Sequence, residues 1–171
     1  MKNFADILKG GDLRSLAKAN RVVAQVNDQQ SFDRLFTALD NTDRKVVMRA
    51  ADAIEKITVK NPGYLRQHKD KIIALCEEAK HVELKWHLAL LVSRLDLTRN
   101  EVARIWQILT NWATDKKESK IVRVNSLQAL YTILYSNKGM IQDFNLILKK
   151  VERENIPSIN ARLRKLKHVR R

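Results

Sequence analysis

Glu78 and His81 stand three residues apart, a spacing that sets a carboxylate and an imidazole on one helical face, as in carboxylate-bridged di-iron helices. Such a centre needs a second copy of the element and two further glutamates, and the chain shows no such set. His81 and His87 also lack the cysteine or HExxH surroundings of a zinc site, so no metal and no cofactor is implied. Cys76, the single cysteine, lies on an apolar helical stripe and reads as a buried thiol, not a nucleophile. No glycine-rich loop, nucleophile elbow or catalytic dyad occurs, and a non-enzyme is expected. What the residue types do support is binding through charge. Lys and Arg number 33 against 19 Asp and Glu, a net charge of +14. The excess is concentrated late, because residues 116–171 carry 14 Lys/Arg and 4 Asp/Glu. The end of the chain supplies Arg162, Arg164, Lys165, Lys167, Arg170 and Arg171. A basic end of this kind suits a polyanion, nucleic acid first and an anionic membrane surface second. The same cations also keep a helix end soluble and complement its macrodipole.

The elements that must position these residues are helices. Four glycines and two prolines in 171 residues are too few for a turn-rich β protein, and a 44% hydrophobic share is enough for a core. The fold class expected is all-α, as one domain over residues 1–171, with 167–171 as a disordered basic tail. The longest conspicuous apolar run, Leu88 to Val92, falls far short of a membrane span. The first residues lack the apolar core of a secretory signal, so a cytoplasmic location is expected.

The best-formed segment is Asp43–Ile57. Asp43 is an N-cap candidate, and Val47, Ala50, Ala51, Ile54 and Thr58 fall on one stripe. Similar stripes begin at Leu16, Leu84, Val122 and Ile159, so the marker positions 16, 47, 84, 122 and 159 are separated by 31, 37, 38 and 37 residues. Regular spacing in this range marks a helical repeat. Partner helices lie between: Phe32–Leu39 after Ser31, Tyr64–Lys80, Glu101–Thr114 and Met140–Glu152. Thr98 and Glu101 form a capping box, and Pro157 suits the first turn of the last helix. Trp106 and Trp112 fall on the packing side.

Leu35 to Leu39, followed by Asp43, Val47, Arg49, Ala50, Ala51 and Ile54, resembles a HEAT repeat. The likeness is fair around Val122–Ile133 and only periodic elsewhere. The unit at Leu84 departs from the pattern with Trp86 and His87, and Asn125 and Ser126 replace the small pair in the next unit. The resemblance implies an α-solenoid of about four to five helix pairs in a right-handed superhelix, its concave side lined by the second helices. It also implies that Arg49 pairs with a repeat aspartate, Asp12 or Asp43, in a structural role.

Opposite the apolar stripes, the second helices would present Arg14, Lys18, Arg21 and Gln25; Lys45, Arg49, Asp52 and Lys56; Trp86, Ala89 and Ser93; Lys120, Val124, Leu127 and Tyr131; and Arg164 and His168. For Trp86, Leu127 and Tyr131 burial is the competing reading. Two functions follow. One is a scaffold whose concave face takes a protein partner. The alternative is a nucleic-acid module using Arg14, Lys18, Arg21, Lys45, Arg49, Lys56 and the basic end. A remote third is suggested by the HEAT-like glycosylases of alkylated bases, for which Arg49, Trp86 and Asp52 are the nearest counterparts here. No small-molecule ligand is implied.

Overall fold

The computed structural model describes residues 3–10 and 17–168, the side chains of 167 and 168 excepted. All regular elements among the described residues are helical. They gather into two compact units, Met1–His68 and Lys69–Arg171. Arg14, Arg170 and Arg171, with the Lys167 and His168 side chains, lie outside what is described.

The first unit contains α1 (Phe4–Leu8), α2 (Ala17–Val23), α3 (Gln29–Phe36) running into a 3-10 turn (Thr37–Asp40), α4 (Arg44–Lys60) and a 3-10 segment (Pro62–His68). Helix α1 is too short to show a periodic signal, and the sequence reading passes over it. Helix α3 starts earlier than Ser31, because Asp28 is the cap. Its Oδ1 accepts from the Ser31 amide at 2.7 Å, and Ser31 Oγ accepts from the Asp28 amide at 3.2 Å. Helix α4 begins as expected, with the Asp43 carboxylate accepting from the Lys45 amide at 2.8 Å.

The buried arc of α4 is wider than its apolar stripe. Val46, Met48, Arg49, Asp52, Ala53 and Ile57 are also buried, whereas Val47 is half-buried. Neighbours pack on α4 from several sides, with α1, α2, α3 and both 3-10 segments touching it. Alanines at 50, 51 and 53 make this close approach sterically easy. Arg49 is fully out of solvent, and its Nη1 donates to the carbonyls of Leu8 at 2.5 Å and Gly10 at 2.6 Å. Gly10 presents that carbonyl from the left-handed region, at φ 67°, where a side chain would be strained.

At the other end of the unit, Asp33 accepts from Gln29, Gln67 and His68, each at 2.7 Å. Burial pushes its carboxyl up, but these three partners outweigh it and hold the pKa below the ordinary value. The His68 ring stacks on Phe36 at 3.9 Å.

The second unit contains α5 (Lys69–Glu78), α6 (Val82–Val92), α7 (Arg99–Thr114), α8 (Lys120–Ser136), a 3-10 turn (Lys138–Met140), α9 (Ile141–Glu152) and α10 (Pro157–His168). The helix expected over Tyr64–Lys80 is therefore two elements, a 3-10 segment and α5. The Thr98–Glu101 capping box forms, with Thr98 N donating to Glu101 Oε2 at 2.7 Å and Glu101 N donating to Thr98 Oγ1 at 3.4 Å. Apolar stripes of α7 (Val102, Ile105, Leu109, Trp112) and α9 (Phe144, Ile147, Leu148, Val151) are buried as read, and so is Trp106.

Helix α8 is the centre of this unit, packed against α6, α7 and α10. Buried Arg123 locks it in place. Its Nε donates to the Ala113 carbonyl at 2.9 Å, and its two terminal nitrogens grip Glu154 end-on at 2.9 and 2.8 Å. The Arg123 hydrogen bond leads the forces that hold the Glu154 carboxyl below the usual carboxylate range. One turn earlier in the stack, Lys85 pairs with Glu118 and lies 5.7 Å from the Trp112 ring centre.

Removing one partner of a buried pair strands the other's charge. Arg123→Ala should therefore lower stability by about 3 kcal/mol, read as a shifted urea midpoint at unchanged slope. Because the folded-state pKa of Glu154 is depressed, its contribution is complete above the unfolded value and disappears as pH falls through the folded one. Glu154→Gln should accordingly show a shallower acid-side loss of stability than the wild type. Gly10→Ala should cost about 1 kcal/mol in the same assay.

Candidate binding surface

Helix α8 has one side that the described helices of its own unit leave open. Ile121, Thr132 and Tyr135 are exposed along it, and Val124, Asn125 and Gln128 are half-buried between them. Their spacing follows the 3.6-residue period, so they form one stripe. Two amides of the stripe reach sideways to the adjacent helices. Asn125 Nδ2 donates to the Trp86 carbonyl of α6 at 3.3 Å, and Gln128 Oε1 accepts from Arg162 of α10 at 2.7 Å. Half-buried Trp86 and Leu90 thus flank the stripe on one side, with Arg162 and Lys165 on the other. The surface is a mixed strip, apolar at Ile121, Val124 and Tyr135 and polar at Asn125, Gln128 and Thr132, with cations along one margin. Ile121 is 42% exposed and Tyr135 59%, high values for side chains of their size.

This face is turned by about one residue from the face expected. Buried Leu127 and Tyr131 give way to Gln128 and Thr132, Val124 is shared, and Lys120 is exposed beside Ile121 at the start of the helix. Tyr131 and Leu127 are buried, which corrects the placement of Tyr131 on a binding surface. The Tyr131 hydroxyl shares a hydrogen bond of 2.9 Å with that of Tyr135, the exposed member of the pair. Helix α8 is apolar through most of its circumference, so its own pattern did not reveal which arc stays open. The neighbours decide it. On α6, Ala89 is buried, and Ser93, the residue that caps its end, is half-buried.

In the first unit the expected face of α4 is mostly used internally. Arg49 is buried on backbone carbonyls, so it cannot meet a ligand, which corrects its expected place on a binding face. Asp52 is buried and takes an ion pair from Lys56 at 2.7 Å, while Lys56 also donates to Asn20 at 2.9 Å. A substrate base therefore reaches neither Arg49 nor Asp52. Lys18 donates to the carbonyls of Lys9 and, at 3.2 Å, Gly10. Arg21 is exposed and Lys45 half-buried. In the second unit Lys120, Arg164 and Lys165 are exposed.

Cys76 is buried, and that burial, with Glu77 adding to it, pushes its thiol pKa far up. Glu78 and His81 line a shallow cleft of about 210 Å³ with Leu75, Ala79, Lys80 and Leu84. Among the described residues no group of three or more His, Cys, Asp or Glu is placed to hold a metal ion. No helix among them is long and apolar enough to cross a membrane.

A family model described as a HEAT repeat domain matches residues 12–168. No curated protein and no solved structure matches the chain significantly.

Of the three tryptophans, Trp106 and Trp112 are buried and Trp86 is half-open beside the α8 stripe. Acrylamide should quench mainly the Trp86 fraction of the native emission. Trp86→Phe should remove most of that quenchable component, and a variant that quenches like the wild type would contradict this placement.

Proposed function

The chain belongs to the HEAT repeat family, and on that premise we propose that it is a non-enzymatic scaffold that binds a protein segment along the open side of α8. HEAT repeats commonly serve as interaction surfaces, a use that follows from their construction, since stacked helix pairs leave an extended face outside the core. The observation that carries the reading is the stripe on which Ile121 and Tyr135 are exposed and Val124 is half-buried, with half-buried Trp86 and Leu90 on α6 beside it. Aromatic and aliphatic side chains in such a row suit the apolar face of a partner helix or an extended peptide. Arg162 and Lys165 along one margin favour a partner carrying acidic residues on that side.

The residues available for this role differ from those the sequence singled out. Trp86, Arg162 and Lys165 remain near this surface, Arg164 lines a cleft with Glu152, Asn155 and Asn160 instead, and Tyr135 takes the place of Tyr131. Non-enzymatic action fits the family's general character. It also fits the internal use of Arg49 and Asp52, the residues nearest to those of a HEAT-like glycosylase.

The test is capture from a nuclease-treated extract of the protein's own cells, comparing wild type with Tyr135→Ala and Ile121→Ser. Both substitutions lie at exposed sites and should leave the unfolding midpoint nearly unchanged. A specific partner should be retained by the wild type and lost about tenfold or more with Tyr135→Ala, as for an interface anchor. Equal retention by both variants would place the binding face elsewhere.

A further inference from the structure

A second surface adjoins the N-terminal end of the α8 stripe. It lies where the turn between α7 and α8 meets the turn between α9 and α10. Arg123, at the start of α8, bonds to Glu154 in the second turn, so the two turns are neighbours. Lys116 of the first turn and Lys150 just before the second both act electrostatically on the Glu154 carboxylate. They therefore converge on one small region from successive repeats.

The two internal ion pairs change the charge of this edge. Glu118 is spent on Lys85 and Glu154 on Arg123, both within the packed stack. Left at the surface are Lys116, Lys117, Lys120, Lys149, Lys150 and Arg153, all exposed. The carboxylates exposed among them are Asp115, which caps its own turn by accepting from the Lys117 amide at 2.9 Å, and Glu152. No large apolar side chain is exposed within either turn.

We propose that this turn edge binds nucleic acid through its phosphate backbone. The cations come from two neighbouring turns and the helix ends beside them, so they form an extended patch. Such a patch suits a long polyanion that passes across it, with no single point where a small anion would be enclosed. Exposed Ile121 and Leu146 stand on the helices beside the turns, but the edge itself is lined by six cations, so its charge favours a nucleic-acid backbone, and binding to anionic vesicles is the contrary outcome of the test. Recognition of this kind contacts phosphates without reading bases, so it should be indifferent to sequence and steeply salt-dependent.

The experiment is fluorescence anisotropy of the full chain with a labelled ~20-nucleotide single strand and with a duplex of similar length, between about 50 and 200 mM salt. The variant is Lys116→Gln/Lys117→Gln/Lys150→Gln, made at exposed sites where folding is little affected. Wild type should bind at the low-salt end. The triple variant should bind about tenfold or more weakly there, with a salt slope reduced by about 3. A second variant, Lys165→Gln/Arg170→Gln/Arg171→Gln, should retain most of the turn-dependent slope. Absence of binding at low salt overturns the proposal, as does a triple variant that binds like the wild type. Binding to phosphatidylserine vesicles with none to nucleic acid overturns it as well. Tyr135→Ala should leave this affinity intact, so the result is independent of the partner-binding reading.

Discussion

A guanidinium keeps its charge at any pH in the range of protein stability, so one taken out of water must find acceptors for its donors inside the fold. Arg123 meets this demand from two directions, the end of α7 through the Ala113 carbonyl and the following repeat through Glu154. The turn before α10 is shaped accordingly. Asn155 takes a left-handed conformation at φ 51°, its Oδ1 accepts from Asn160 Nδ2 at 2.9 Å, and Pro157 begins the next helix. Arg49 imposes the same demand in the first unit, where the end of α1 and Gly10 supply carbonyls. Buried ion pairs of this sort repay their desolvation only when the geometry is complete. The Arg123–Glu154 pair joins α8 to the turn one repeat on.

The repeat is also visible in the separation of the other long-range bonds of the second unit. Asn125 reaches Trp86 across 39 residues, Trp106 reaches Asp143 across 37, Arg162 reaches Gln128 across 34 and Lys69 reaches Glu101 across 32. These separations cluster around the marker spacing read from the sequence. A residue on one helix bonds to its counterpart one repeat away, because stacked pairs present equivalent positions side by side. The surfaces left over follow from this. The open side of α8 is what α6, α7 and α10 do not cover, and the basic turns are what remains after Glu118 and Glu154 have been drawn inward.

Much of this was legible in the chain. The Thr98–Glu101 box, the Asp43 cap, the Pro157 start and the buried stripes of α7 and α9 are local patterns with local physical causes. Other features were not legible for equally physical reasons. Helix α1 is shorter than two helical turns and carries no period. Ser31 and Asp28 are both good caps, and only the reciprocal bond shows that Asp28 is the one outside the helix. Arg49 and Tyr131 lie on arcs that look polar or mixed in sequence but are covered by neighbouring elements. A long charged or amphipathic side chain can be accepted in the interior when its polar end is satisfied, and no periodicity reports that satisfaction.

The sequence by itself therefore determined the helical class, the repeat length, the helix starts that depend on nearby caps, and the late excess of positive charge. These depend on residue types within a few positions of each other, or on a count. Tertiary structure alone decided which arc of each central helix faces outward and which cations are free. Those outcomes depend on partners about one repeat away, whose approach is set by packing. Lys85 and Arg123 look like surface cations in the sequence, yet the fold withdraws both, together with Glu118 and Glu154. The charge that remains for a partner is a difference fixed by that pairing, and composition does not contain it.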